Sequence, residues 1–235
     1  MASIYSIAGL NVEMESSGDI LRKQGARYRS TEDNPADITI RLSEERIKRF
    51  GDKYPHLNQH EREYLLTGAE FYGSLMEYNG FGLHASAIAM DNRAVLFSAP
   101  CNTGKSTHAR LWQQYFGANR VVIINDDKPV LRLKGDSFQV YGTPWSGKTD
   151  LSANIQVPLQ AVVFLEQAQD NDIKRLDHKE AVKMLIYQSL RPNNDALKMH
   201  QLLVLLDVLI KTTPVYRLTC TVSQEAVKLV HEALF

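Results

Sequence analysis

The spacing of apolar residues changes several times along the chain, and each change marks an element. "SIYSIA" and "LNVEME" alternate on either side of Gly9 and predict two short strands. "ADITIRL" (36–42) alternates in the same way, and "SEERIKRF" (43–50) reads as a short helix capped by Ser43. In the stretch that follows, Tyr64, Leu65, Ala69, Tyr72 and Met76 fall at helical spacing, which predicts a helix from near Asn58 to just before Gly80. The character then shifts. "LHASAIAM" and "AVLFSAP" are strands joined by an Asp91-Asn92 turn, and "GKSTHARLWQQYF" is a helix with Ala109, Trp112 and Phe116 on one face, closed by Gly117. "RVVIINDD" is an apolar strand that ends in two carboxylates, and "PVLRLKGDSFQVYG" is a hairpin turning at Gly135-Asp136. "LQAVVFLEQ" is a buried strand, and helices follow near 178–190, 195–211 and 224–234, with "PVYRLTC" as a strand between the last two. Asp177 with Glu180 forms a capping box for the first of these helices, and Ser223 caps the last. The succession predicts an α/β domain with a mixed sheet over 81–235. An α+β lead-in over 1–80 packs on its core and is free to extend the same sheet.

Composition narrows the function classes. The chain has 235 residues, 44% hydrophobic and 23% charged, with Lys+Arg and Asp+Glu both at 27. A balanced charge without a long basic run argues against nucleic acid and against a membrane surface as partners. Cys101 and Cys220 cannot make a disulfide framework, which points to a reducing cytoplasm. The opening residues lack the basic and apolar regions of a signal peptide. "LLVLLDVLI" (202–210) is too short to span a bilayer, carries Asp207, and reads as a buried helix.

Two segments invite a phosphate-binding reading. "GTPWSGKT" (142–149) matches G-x-x-x-x-G-K-[ST] at every position, and "APCNTGKS" (99–106) misses it only at Ala99. Such a loop works when a buried strand delivers the chain to a tight turn, inward-facing N–H groups line it, and a helix begins with its positive end aimed at the anion. The perfect match has Pro144, which donates no N–H, beside bulky Trp145, and no helical period after it. The imperfect match has a strand before it and a well-patterned helix after it. Asn102 suits a left-handed backbone position, whereas Ala99 costs about 1 kcal/mol if its φ must be positive. Asp126 and Asp127 end the next predicted strand, where a strand–helix–strand unit brings carboxylates beside the loop and its Mg²⁺.

These residues resemble a known family. "GFGLHASAIAM…AVLFSAPCNTGKSTHARLW…VVIINDDKPVLR" is similar to the catalytic domain of HPr kinase/phosphorylase and its shorter relatives, closely from about residue 80 to 150 and less so toward the C-terminus. The short relatives share the opening "IYSIAGL" and the "GTPWSGK" element. The first 80 residues do not resemble the regulatory domain of the full-length enzymes. The resemblance implies a P-loop-containing fold like the HPr kinase C-terminal domain, with a nucleotide site shared with ATP-dependent phosphoenolpyruvate carboxykinase. It also implies an active site of His84, Lys105, Ser106, Asp126 and Asp127. The family carries glycines where this chain has Ala99 and Asn102, and its phosphorolysis-linked segment is not evident. Neither the reverse reaction nor HPr as substrate is therefore carried over.

The expected chemistry is ATP-dependent phosphoryl transfer to a serine-like hydroxyl of a small molecule, peptide or protein. Asn102, Thr103, Gly104, Lys105, Ser106 and Thr107 form the nucleotide cradle. Ser106 and Asp127 hold Mg²⁺, Asp126 accepts the hydroxyl proton, and the two Asp roles are interchangeable. His84 orients Asp126 or binds the acceptor. Gly142, Gly147 and Lys148 form a flexible lip, on which Lys148 neutralises the transferred phosphoryl group or a substrate carboxylate, or is simply solvated. Arg191 ends a helix or reaches the phosphates. Cys101 lies in the loop near Lys105, a setting for alkylation that ATP would slow. His56 and His60, four apart without the Glu of a zinc motif, read as surface histidines. Two other readings stand beside this one: a non-catalytic ATP-binding module with a degenerate loop, and a carboxykinase acting on a dicarboxylic acid, for which the chain is short. The phosphoryl acceptor and the oligomeric state stay open.

Overall fold

The computed structural model describes residues 2–15, 18–32, 34–192 and 195–235. In chain order, β1 (Ser3–Ile7) and β2 (Leu10–Met14) form a hairpin, followed by α1 (Asp19–Gly25), β3 (Ile38–Ile40), α2 (Glu44–Lys53) and α3 (Gln59–Ser74). Then come β4 (Gly80–Gly82), β5 (Ala85–Met90), β6 (Arg93–Ser98), α4 (Lys105–Phe116), β7 (Val121–Asn125), β8 (Val130–Lys134) and β9 (Ser137–Tyr141). The chain continues through β10 (Gln156–Gln167), β11 (Asp172–Arg175), α5 (His178–Gln188), α6 (Ala196–Thr212), β12 (Val215–Cys220) and α7 (Gln224–Leu234).

Among the described residues, nine strands form one mixed sheet in the order β4-β8-β9-β10-β6-β5-β7, with β12 beside β10 and β11 beside β12. The long strand β10 is the hinge of this arrangement. Its first residues pair antiparallel with β9, and its second half runs parallel to both β6 and β12. Strand β5 is antiparallel to both its neighbours, β6 and β7. The C-terminal ends of β6 and β7 and the start of β5 therefore share one edge of the sheet, and that edge carries the site. The central strands are buried on both faces, and their sequences accordingly run apolar rather than alternating. On one face Phe97 and Val95 meet Trp112 of α4 and Val227 and Val230 of α7. On the other face Ala87 and Leu96 meet Leu185 of α5 and Leu202 and Leu206 of α6.

The lead-in does not extend this sheet. Strands β1, β2 and β3 make a sheet of their own, with β2 in the middle, antiparallel to β1 and parallel to β3. Its apolar side chains, including Ile7, Val12 and Met14, cluster with Leu21 of α1, Phe71 of α3, and Val130, Tyr141 and Trp145 of the larger unit. The lead-in thus joins by side-chain packing and by bonds such as Arg132 Nη1 to the Ala8 carbonyl at 2.8 Å, not by a strand ladder.

Local chemistry accounts for the element ends. Ser43, Asn58, Asp177, Asp195 and Ser223 each accept a bond from a backbone N–H in the first turn of their helices, and Asn58 and Asp177 complete capping boxes. The Ala8-Gly9 and Asp91-Asn92 turns have left-handed φ at both residues, as two-residue hairpins require. The structure shortens one expected element: α5 stops at Gln188 because Leu190 N–H turns away to the Gly82 carbonyl at 2.9 Å. It splits another: the helix expected to run to just before Gly80 ends as α3 at Ser74 and continues as a 3-10 turn over Leu75–Tyr78, and Leu65 and Ala69 lie exposed on α3 while Tyr64 and Tyr72 are buried. In α6, Leu203 and Val204 face outward, so "LLVLLDVLI" is amphipathic rather than wholly buried. The short strands β4 and β11 and helix α1 were not apparent from the periodicity.

Candidate functional site

Strand β6 ends at Ser98 and the chain turns through Ala99–Lys105 into α4. Ala99 is buried and its φ is not positive, so the strain expected of a Cβ there does not arise. The left-handed positions are Asn102, at φ +63°, and Gly104, at φ +105°. Asn tolerates such a conformation better than most residues, and glycine does so freely. No side chain caps α4, in contrast to the five helices capped by Ser, Asn or Asp. Its first helical bond is His108 N–H to the Gly104 carbonyl, which leaves the earlier N–H groups of the turn for another acceptor. Thr103 Oγ1 bonds the Pro100 carbonyl at 3.0 Å and stiffens the loop. Ser106 is half-buried and Thr107 exposed at the same helix end.

The Lys105 ammonium lies inside this loop. It donates to the Ala99 carbonyl at 2.9 Å and to the Pro100 carbonyl at 3.1 Å. Burial lowers its pKa, opposed by the nearby Cys101 thiol and by the Asp127 and Asp126 carboxylates. Cys101 itself is exposed.

The two carboxylates leave the end of β7 in different environments. Asp126 is buried; Ser86 Oγ donates to its Oδ1 at 2.7 Å and Thr149 Oγ1 to its Oδ2 at 2.9 Å. Asp127 is more open. Its carboxylate pairs with the Lys128 ammonium and faces His84 Nε2 at 3.6 Å. Of the two expectations for His84, orienting Asp126 or binding the acceptor, the structure does not show the first: the ring faces Asp127, while Ser86 bonds Asp126. The other ring nitrogen, Nδ1, is 3.2 Å from Gln188 Oε1. Burial pushes the His84 pKa down and the Lys105 charge adds to the effect, so the imidazole is neutral near pH 7. Asn125 fixes the turn beneath the pair by accepting from the N–H groups of Asp127 and Lys128 at 2.9 and 2.7 Å.

The second GK segment has no helix of more than one turn after it, and its first residues are built into the core. Residues 142–146 are buried. Trp145 stacks on Phe71 at 4.8 Å between ring centroids. Gly147 N–H donates to Tyr64 Oη at 3.1 Å. The segment "GKT" makes one turn of tight helix. At Gly147 φ is +72°, and an added Cβ would lie 3.1 Å from Asp127 Cβ. The segment therefore presses against the acidic pair and hands it the Thr149 hydroxyl. Lys148 is exposed and pairs with no acid among the described residues.

His84, Lys105, Asp126 and Asp127 thus share one sheet edge, with β5 set between the loop-bearing β6 and the acid-bearing β7. Arg191 lies apart from the loop, in a cleft of about 720 Å³ between α3 and the segment after α5, and Lys128 and Trp145 also line that cleft. Sequence reasoning did not single out Ser86, Asn125, Lys128, Thr149 or Gln188. Lys128 was visible as a cation beside twin acids and Thr149 as the end of a motif. Ser86 and Gln188 carry no local signal, since their partners lie 40 and 104 residues away. His60 rests on the surface 3.3 Å from Asp19, as a surface histidine would. No helix among the described residues is long and apolar enough to cross a membrane.

Comparison with known proteins gives a family and little more. Residues 66–234 match the family described as SynChlorMet cassette protein ScmC. No curated protein matches. Among solved structures, the Hpr(Ser) kinase/phosphatase from Coxiella burnetii aligns over 65% of this chain and 95% of its own, at 14% identity and a TM-score of 0.37. A likeness that loose carries no argument about the site.

Proposed function

The chain belongs to the family of the SynChlorMet cassette protein ScmC, and for this member we propose an ATP-dependent kinase that transfers the γ-phosphoryl group to a serine-like hydroxyl. The observation that carries this reading is the uncapped N-terminus of α4, with left-handed Asn102 and Gly104 before it and Lys105 inside it, in electrostatic reach of Asp126 and Asp127. Free N–H groups and a helix dipole suit phosphate oxygens. Lys105 now satisfies itself on loop carbonyls, and a bound triphosphate would offer it stronger, charged acceptors.

In this reading the backbone of 102–107 and Lys105 bind the β- and γ-phosphates. The acceptor oxygen bonds to the γ-phosphorus as the bond from that phosphorus to the bridging oxygen breaks. ADP leaves with the electron pair, and a carboxylate takes the hydroxyl proton. Of the interchangeable pair, Asp127 is favoured for the proton: it is the more open, and neutral His84 faces it. Asp126, held by Ser86 and Thr149, is then the fixed carboxylate on the metal side with Ser106. No three His, Cys, Asp or Glu side chains converge among the described residues, and the available donors are a hydroxyl and carboxylates. Such a set fits Mg²⁺, which binds one or two carboxylates and otherwise phosphate and water, but does not fit zinc. Magnesium would neutralise phosphate charge.

A non-catalytic ATP-binding module is the second reading, favoured by the inward-folded Lys105. Incubation with ATP, Mg²⁺ and a pool of hydroxyl compounds and Ser-containing peptides separates the two. ADP release that Lys105→Ala abolishes supports the kinase. Tight ATP binding without ADP release supports the module.

A further inference from the structure

The cleft beside the acidic pair has a chemistry of its own. Lys128 belongs to both regions: its ammonium pairs with Asp127 and the residue lines the cleft. Tyr72 Oη fixes that junction by donating to the Lys128 carbonyl at 2.6 Å. Leu65, Ala69 and Trp145 supply an apolar wall, which explains why Leu65 is exposed although it lies on the apolar stripe of α3. Four cations, Arg46, Lys128, Arg191 and Lys198, line the space. Arg46 pairs with Glu70, Lys128 with Asp127, and Lys198 with Glu77 at 3.2 Å. Arg191 alone of the four faces no acid among the described residues. The acids that line the cleft are already engaged: Glu70 by Arg46, and Asp195 by the Lys198 N–H that it caps.

Arg191 is also well placed. Ser189 bridges to Leu83, Leu190 N–H bonds the Gly82 carbonyl at 2.9 Å, and the Gln188 carbonyl accepts from His84 N–H at 2.9 Å. The three residues before Arg191 are thus pinned along Gly82–His84, the link between β4 and β5. An exposed Arg191 with no acid partner among the described residues, lining a cleft of about 720 Å³, suits a planar anion on a small ligand.

We infer that the cleft takes a small hydroxycarboxylic acid, with its carboxylate on Arg191 and its hydroxyl directed past Lys128 toward Asp127. The fate of the hydroxyl rests on the kinase reading; the carboxylate contact does not. The test is equilibrium binding by calorimetry without nucleotide, using D-glycerate and L-serine against their carboxylate-free counterparts glycerol and ethanolamine. At least one acid binds about tenfold or more tighter than its counterpart, and Arg191→Gln weakens that acid by about 10- to 100-fold. Lys174→Gln, which removes a cation from an exposed position on β11, leaves its affinity unchanged. Equal binding of acid and counterpart, no binding of either acid, or full affinity in Arg191→Gln overturns the inference. Adding ATP and Mg²⁺ separates the two claims. Acid binding through Arg191 without ADP release fails the kinase reading and keeps the cleft. ADP release as fast with glycerol or ethanolamine as with the acids keeps the kinase and fails the cleft.

Discussion

Thr149 Oγ1 donates to Asp126 Oδ2 at 2.9 Å, so the segment that reads as a perfect phosphate loop in fact serves the acidic pair of the other loop. A hydrogen bond to a charged group contributes about 1.5–3 kcal/mol where water is excluded, and Thr149 is exposed, so the lower end applies. Thr149→Val should lower turnover about tenfold with ATP affinity nearly intact, and Thr149→Ser should restore it. ADP-release kinetics on the two variants check this.

Lys105→Ala removes a buried ammonium whose bonds go to two neutral carbonyls of the loop. ATP affinity should fall at least about tenfold, because a charge-assisted contact to phosphate is lost. The melting temperature should not fall, since the variant no longer buries a charge without an ion pair. Titration with a fluorescent ATP analogue and a thermal melt read the two effects separately.

Cys101 is exposed in the loop, whereas Cys220 is half-buried and burial raises the pKa of its thiol. Alkylation should reach Cys101 first, and ATP with Mg²⁺ should slow that reaction but not the one at Cys220. Mass spectrometry of peptides labelled with and without nucleotide gives both rates. Equal labelling of Cys101 in the two conditions would count against a nucleotide in this loop.

His108, on the buried face of α4, accepts from Trp112 Nε1 at 3.2 Å and has its pKa pushed down to about 4 by burial. The unfolded chain takes up that proton near pH 6.5, whereas the folded chain resists it. The stability contributed by the neutral ring is therefore complete above pH 6.5 and is lost as pH falls toward 4, on the order of 3 kcal/mol in all. His108→Gln keeps an acceptor for Trp112 and should flatten the fall in melting temperature across that window. Melts of both proteins at stepped pH check it.

Trp145 is 2% exposed and stacks on Phe71, and its Nε1 reaches Thr67 Oγ1 at 3.3 Å. Trp145→Ala should cost about 3–5 kcal/mol and melt the protein well below the wild type. A mobile lip would have lost almost nothing, so chemical denaturation of this variant distinguishes the anchored segment from a loose one.

Much of this architecture was legible in the sequence. The capped helices, the two-residue turns and the apolar strands depend on contacts within about four residues, and their signals lie in the same short windows. The choice of "APCNTGKS" over "GTPWSGKT" rested on equally local facts: a strand before and a well-patterned helix after. Asn102 at φ +63° is the position where that local chemistry shows most directly.

Long-range packing alone decided the rest. Strand β5 inserts between β6 and β7, which sets His84 between loop and acids, and no periodicity reports strand order. The partners of Asp126 lie 40 and 23 residues away, and Gln188 meets His84 across 104 residues. The cleft at Arg191 needs α3, Lys128 and the end of α5 brought together. Contacts of that span depend on how buried faces stack, and that information is distributed over the whole core rather than written beside any one residue.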